Sequence, residues 1–221
     1  MAETPKNTRK DDRRILRTRS ALRSAFRALI KEKPYEEITI EELTERANVG
    51  RTTFYLHYRD KESLLLEDFE KVMFAQAEQI SPQPLVKAFS RDGDNIVGAV
   101  LALVHENADL FQAITSEQSN KVFRRFHEIH TQAVARLIQF SPAVRQHIND
   151  DFPLDFILNY YSGALWSCIV WWIEQDFQPD IKQVTDSFLT LFVPGLLMSM
   201  PGPNHEQVMK YLEKVHLNKG K

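Results

Sequence analysis

The sequence predicts an all-α protein, and two observations support this prediction. Glycine (7 residues) and proline (10 residues) are sparse in a chain of 221, so few turns and long helices are expected. Apolar residues recur at spacings of three, four and seven, the period of one helix face, and no alternating strand pattern is visible. The first such stripe predicts a helix over residues 12–31 and consists of Ile15, Leu22, Phe26, Leu29 and Ile30.

Two short helices are predicted next, and capping residues mark their ends. Pro34 ends the first helix, because proline cannot continue one. Thr39 and Glu42 have the spacing of a capping box, which opens a short helix. A second short helix is predicted over residues 50–57, and only Asn48-Val49-Gly50 joins the two. This spacing is that of a helix-turn-helix, in which Asn48 tolerates a positive φ and Gly50 suits the N-cap.

The second short helix has the composition of a helix that reads DNA. Val49 and Phe54 are placed to hold it against the preceding helix. The outer face then carries Arg51, Thr52, Thr53, Tyr55 and His57. The N-terminal side chains of such a helix reach base edges, while hydroxyls and cations bind phosphates. A further helix is predicted over 61–80, with Asp60 as its cap and Lys61 as its first residue. The Lys61 ammonium and the positive end of the helix dipole both favour a phosphate at this helix start.

The charge distribution points to a polyanion at one end of the chain. Residues 1–66 carry 15 Lys+Arg against 11 Asp+Glu, whereas the remainder carries 13 against 19. A solvated, disordered basic tail over 1–11 is an equally good explanation of the charge alone. A stripe on the first helix is predicted to be a solvated face that adds long-range attraction, and it contains Arg19, Arg23, Arg27 and Lys31.

Residues 13–70 resemble the DNA-binding domain of the TetR (tetracycline-repressor-like) family. The matching segments are Ile38-Thr39-Ile40-Glu41-Glu42-Leu43, Ala47-Asn48-Val49, Thr53-Phe54-Tyr55, His57-Tyr58 and Lys61-Glu62-Ser63-Leu64. The resemblance implies a ligand-gated homodimer, most often a repressor, on a double-stranded DNA operator. The resemblance also implies which residues face DNA, namely those at the positions that match the family's DNA-contacting residues: Thr39, Arg51, Thr52, Thr53, Tyr55, His57 and Lys61. Two departures are Gly50, where the family often has serine, and Leu56, where it often has a polar residue.

Residues 81–221 are predicted to form a helical effector-binding and dimerisation domain. Helical patterns cover residues 85–89, 94–105, 108–114, 118–140, 152–177, 181–198 and 204–217. The segments 161–166 and 171–175 are similar to a subgroup that includes regulators of dihydroxyacetone kinase operons. Two long apolar helices, 152–177 and 181–198, suggest a four-helix dimer interface, an intramolecular core being the alternative. The candidate interface residues are Trp166, Val170, Phe188 and Phe192.

Candidates for an effector pocket lie on the middle helices, although plain core packing is the stronger explanation for most of them. They are Phe111, Phe126, His127, His130, Phe156 and Tyr160. His127 and His130 are three residues apart but lack the further ligands that a zinc site needs, so no metal and no cofactor is expected.

The sequence argues against an enzyme, a membrane protein and a secreted protein. No catalytic triad order, phosphate loop or metal-ligand set is visible. The single cysteine, Cys168, cannot form an intramolecular disulfide, and the first 20 residues lack the pattern of a signal peptide, so we expect a cytoplasmic protein. The alternatives to a repressor are a helical protein-interaction module and an activator of the same fold without an effector.

Overall fold

The computed structural model describes residues 8–79, 95–116, 120–139 and 153–198. These residues form nine α-helices and one 3-10 helix and contain no strand, so the all-α prediction is confirmed. The elements are α1 (Thr8–Leu29), the 3-10 helix (Tyr35–Glu37), α2 (Ile40–Arg46), α3 (Arg51–His57), α4 (Lys61–Gln79), α5 (Ile96–Glu106), α6 (Ala108–Ser116), α7 (Asn120–Gln139), α8 (Leu154–Glu174) and α9 (Ile181–Met198). The helices predicted over 85–89 and 204–217 lie outside the described residues.

The chain divides into two compact units. The N-terminal unit comprises Met1–Val72 with Asp109–Ser119, and the C-terminal unit comprises Met73–Ala108 with Asn120–Lys221. This division differs from the boundary predicted at residues 80–81 in two ways: the first segment of the N-terminal unit ends at Val72, and most of α6 belongs to that unit. The ring of Phe111 on α6 lies edge-on to Phe69 of α4, with centroids 5.8 Å apart, and both side chains are fully buried.

Helix α1 supplies the central apolar face of the N-terminal unit. Leu22, Phe26 and Leu29 are buried as predicted, and the Phe26 ring packs edge-on against Tyr35 of the 3-10 helix at 6.2 Å. Two details correct the sequence analysis. Ile15 is exposed, because the buried stripe begins only at Leu22. The helix also begins at Thr8, inside the segment predicted to be a disordered tail, since each residue added to a helix gains a backbone hydrogen bond.

The arginine stripe of α1 is an intramolecular contact rather than a solvated face. Arg19 and Arg23 both pair with Glu67 of α4, and Arg27 pairs with Asp68. Asp68 is buried, and burial raises its pKa even with the Arg27 guanidinium beside it. The two carboxylates of α4 offset part of the charge of these three cations, so their contribution to long-range attraction of DNA is smaller than their number suggests.

The C-terminal unit is a helical bundle in which α8 packs against α7, α5 and α9, and α9 packs against α5. Trp172 near the end of α8 is fully buried, and its indole Nε1 donates a hydrogen bond of 2.6 Å to the carbonyl of Pro179 before α9. Helix α8 is the one described helix that is long and apolar enough to cross a membrane. Its buried side chains pack inside the helical bundle, as expected for a core helix of a globular unit.

Candidate nucleic-acid interface

The capping box at the start of α2 is formed. The Glu42 backbone amide donates to Thr39 Oγ1 at 3.2 Å, and Glu42 Oε2 accepts from the Thr39 amide at 2.9 Å and its hydroxyl at 2.8 Å. Hydrogen bonds from the Lys33 ammonium and from Thr39 hold the pKa of Glu42 at about 2. The Thr39 hydroxyl therefore donates to Glu42, and a phosphate would have to compete for that proton.

The turn between α2 and α3 has the predicted backbone. Asn48 has a φ of 51°, in the left-handed region that asparagine tolerates better than most residues. The Val49 amide donates to the carbonyl of Thr44 at 3.0 Å, which ties the turn to α2. Gly50 is the N-cap of α3 and has an extended backbone, with φ −72° and ψ 149°. No side-chain hydrogen bond caps this helix. The departure from the family's usual serine therefore removes a capping oxygen.

Helix α3 presents one buried face and one exposed face. Phe54 is 0% exposed, and its ring centroid lies 5.7 Å from that of Tyr58. On the other side, Arg51, Thr52 and Tyr55 are exposed, while Thr53 and His57 are half-buried. The exposed part of α3 is about 10 Å long, and the major groove of B-DNA admits a helix of this kind.

Leu56 also lies on the exposed surface of α3, and our prediction did not include it among the DNA-side residues. It is 76% exposed, more than any other large apolar side chain of the helix-turn-helix. The signal was available in the sequence, because Leu56 stands where the family often has a polar residue. Apolar side chains in this position can contact the methyl group of thymine.

The Lys61 ammonium, which was predicted to face a phosphate, makes hydrogen bonds within the chain. Its Nζ donates to the backbone carbonyls of Tyr35, Glu36 and Ile38, at 2.6, 3.1 and 3.0 Å. The same ammonium lies 4.2 Å from the centroid of the Tyr35 ring. An ammonium has three protons, and three carbonyls accept them, so Lys61 positions the segment before α2.

The predicted effector residues differ in burial and in the unit to which they belong. Phe111 is buried in the N-terminal unit, and Phe156 and Tyr160 are exposed on α8 of the C-terminal unit. Phe126, His127 and His130 do share a face of α7 that meets α8. The described residues also leave buried polar atoms without hydrogen-bond partners in this unit, among them His127 Nδ1, His130 Nε2, Ser162 Oγ and Thr185 Oγ1.

The predicted interface residues are less exposed than expected. Trp166 packs on Phe126 with ring centroids 4.8 Å apart, and Phe188 and Phe192 are almost fully buried. An apolar groove runs between α8 and α9, and its lining includes Tyr160, Trp171, Phe188, Leu191 and Phe192. Two of the predicted interface residues, Phe188 and Phe192, thus line this groove, while its exposed side chains are Tyr160, Trp171 and Leu191, which were not predicted for the interface.

A bundle with a capped α2, a four-residue turn and an exposed α3 defines a helix-turn-helix protein of the DNA-binding class. Residues 22–67 match the family model described as bacterial regulatory proteins of the tetR family. Residues 94–193 match a model described as a transcriptional regulator C-terminal region. The chain belongs to the TetR family of transcriptional regulators. Its members are regulators rather than enzymes.

One curated relative matches a short part of the chain. An uncharacterized HTH-type transcriptional regulator of Bacillus subtilis (strain 168), YxbF, is 51% identical over 55 residues. The match covers 24% of this chain and 14% of that relative, so the chain spans only a small part of the relative's length.

Solved structures share the fold over most of the chain. A TetR transcriptional regulator from Streptococcus agalactiae 2603V is 25% identical, with a TM-score of 0.57, covering 84% of this chain and 99% of that one. The dihydroxyacetone kinase operon activator DhaS is 19% identical, with a TM-score of 0.60, covering 82% and 97%. RolR in complex with resorcinol is 21% identical, with a TM-score of 0.55, covering 81% and 89%.

Proposed function

We propose that the protein is a ligand-responsive repressor that acts as a homodimer on a double-stranded DNA operator in the cytoplasm. The observation that carries this proposal is the two-sided helix α3, in which the buried Phe54 holds Arg51, Thr52 and Tyr55 outward. A cation, a hydroxyl and a phenol on one exposed face are groups that bind phosphates and base edges. A two-fold dimer would present two such helices to successive major grooves.

The proposal is tested by selecting duplexes from a random pool and measuring the affinity of the best sequence by gel shift at several salt concentrations. We expect log affinity to fall linearly with log salt, with a slope of about −0.9 per neutralised phosphate. For ~6 phosphate contacts the loss between ~50 and ~200 mM salt is about 10³-fold. A scrambled duplex of the same length is the control. Binding that does not distinguish the two duplexes, or that ignores salt, contradicts the proposal.

A homodimer through α8 and α9 is supported by the exposed apolar groove between them. Leu191 is 82% exposed, and Tyr160 and Trp171 are exposed beside it. Burial of such side chains against a second copy is worth roughly 25 cal/mol per Å² of apolar surface. In a two-fold interface each of these residues is buried twice, once from each protomer.

Leu191→Glu is expected to weaken dimerisation by at least about 100-fold, because two like charges brought together in an interface cost several kcal/mol. Sedimentation analysis of the variant over a range of concentrations measures this loss. Leu16→Glu is the matched control, since Leu16 is also an exposed leucine but lies on α1. A Leu191→Glu protein that remains dimeric like the control would rule out this surface as the interface.

The dimer is proposed to have two states, one with high and one with low affinity for DNA. An effector would act by binding one of these states more tightly than the other, because a ligand shifts an equilibrium only through differential affinity. Helix α4 (Lys61–Gln79) begins directly after the helix-turn-helix and continues past residue 72, where the N-terminal unit ends. A displacement of α4 is therefore a direct route by which a ligand could change the spacing of the two α3 helices. RolR, a protein of the same fold, holds resorcinol, which supports a small organic effector.

A further inference from the structure

We propose that the core of the C-terminal unit binds an uncharged, hydroxylated aromatic compound through His130 and Ser162. The inference rests on the proposed effector function and names the chemical class of the effector. It is carried by two buried polar atoms that lack partners among the described residues, by the aromatic rings of the unit, and by the absence of a buried charged side chain from the part of this unit that the structure describes.

The imidazole of His130 is held in place by ring contacts. The side chain is 2% exposed, its ring stacks on Phe126 with centroids 5.3 Å apart and planes 9° apart, and the Tyr161 ring lies 5.2 Å away. Its Nε2 is buried and has no hydrogen-bond partner within the described part of the chain. Such an atom is poised to donate to, or accept from, a hydroxyl group of a ligand.

Ser162 follows Tyr161 on α8 and is 0% exposed, and its Oγ likewise lacks a partner among the described residues. A helical hydroxyl normally donates to the carbonyl four residues earlier. Thr131 does so toward His127 at 2.7 Å, and Thr190 does so toward Asp186 at 2.5 Å. Ser162 does not make this bond. Its hydroxyl is therefore available to a ligand at the cost of stability in the free protein.

The surroundings determine the charge of the ligand. The buried polar residues described in this unit are Asn95, His130, Ser162 and Thr185, and none carries a formal charge at neutral pH. Burial, with a smaller effect from His127, lowers the pKa of His130 to about 4, so its imidazole is neutral there. A carboxylate or an ammonium would be buried in this core without a counter-ion, which is strongly unfavourable.

The surroundings also favour a flat ring. Trp166 packs on Phe126 with centroids 4.8 Å apart, and Tyr161 contacts Phe192 at 4.9 Å and Phe188 at 5.8 Å. Aromatic side chains favour ring-shaped ligands, which pack on their faces and edges. A hydroxylated ring is the ligand class that combines apolar surface with a polar group for an unpartnered buried atom.

The test uses the full-length protein and three probes of similar size: phenol, toluene and benzoate. Phenol is an uncharged hydroxylated ring, toluene lacks the hydroxyl, and benzoate carries a charge. Titration calorimetry and ligand-observed NMR at neutral pH are expected to give saturable binding of phenol. Toluene is expected to bind at least about tenfold more weakly, the size of one lost hydrogen bond in a buried site. Benzoate is expected not to bind. Equal binding of phenol and benzoate, or no saturable binding of phenol, overturns the proposal.

Two variants locate the binding in the core. Ser162→Ala and His130→Phe are each expected to weaken phenol binding by about tenfold. Ser167→Ala is the matched control, because Ser167 is an exposed serine on the same helix. In the free protein, Ser162→Ala is expected to leave the melting temperature unchanged or raised, since it removes a buried hydroxyl without a partner. Phenol binding that is unchanged in both variants, or a clear drop in the melting temperature of Ser162→Ala, shows that these groups are structural.

DNA binding by the same preparations separates this inference from the proposed function. If phenol does not bind while the selected DNA is bound in a salt-dependent manner, the proposed ligand class is wrong and the proposed regulatory function is retained. If no DNA sequence is preferred, the proposed function fails whatever the probes show.

Discussion

Phe54→Ala is expected to destabilise the N-terminal unit by about 3–5 kcal/mol, the range for truncating a buried phenylalanine, and to abolish DNA binding with it. Phe54 is fully buried, and its ring packs with those of Tyr55 and Tyr58 at 5.4 and 5.7 Å. Helix α3 has seven residues and is too short to persist without this anchor. The loss is comparable to the whole stability of a small domain, which is roughly 5–15 kcal/mol.

Urea unfolding followed by circular dichroism measures the Phe54→Ala effect, since the lost helix signal reports the unfolded fraction directly. Leu56→Ala is the matched control, because Leu56 lies on the same helix and faces solvent. Its effect on stability is expected to stay within about 0.5 kcal/mol. Similar unfolding midpoints for the two variants would mean that Phe54 does not anchor α3.

Tyr55→Ala is expected to leave the fold intact and to weaken operator binding by more than about 100-fold. A hydrogen bond from the phenol to a charged phosphate is worth about 1.5–3 kcal/mol, and a dimer makes it at both half-sites, so the loss is at least about 3 kcal/mol. Tyr55 is about half exposed and its ring meets that of Phe54 in a T-shaped contact, so truncation is expected to leave the core closed. Gel shift against the selected operator measures the affinity.

Tyr55→Phe separates the hydroxyl from the ring, because it retains the edge contact with Phe54. If the phosphate contact is the correct role, Tyr55→Phe loses most of the affinity that Tyr55→Ala loses. A Tyr55→Phe protein that binds like the parent assigns the effect to the ring. An unchanged affinity in both variants removes Tyr55 from the DNA surface altogether.

The local features of the helix-turn-helix were predictable because their causes lie within a few residues. The capping box of Thr39 and Glu42, the positive φ of Asn48 and the N-cap at Gly50 each follow from side chains that act on their own backbone. The burial of Phe54 follows from helical periodicity. Their agreement with the structure reflects consistency between local preference and the global fold.

The partners of charged groups were not predictable, because they are distant in the sequence. Arg27 pairs with Asp68, 41 residues later, and the Lys61 ammonium binds the carbonyls of residues 35, 36 and 38. A basic stripe or a lysine at a helix start is the same pattern whether its partner is a phosphate or another part of the chain. Only the packing of α4 against α1 and the 3-10 helix distinguishes the two.

By itself the sequence determined the helix type, the helix order and the exposed face of α3, because hydrophobic period, caps and turn residues act locally. Tertiary structure alone decided which apolar side chains of α8 and α9 are buried and which are exposed. Phe188 lies inside while Leu191, three residues later, is exposed, and Tyr161 is buried beside the exposed Tyr160. Both helices are apolar on more than one side, so their rotation depends on which neighbours they pack against, and no local pattern encodes that choice.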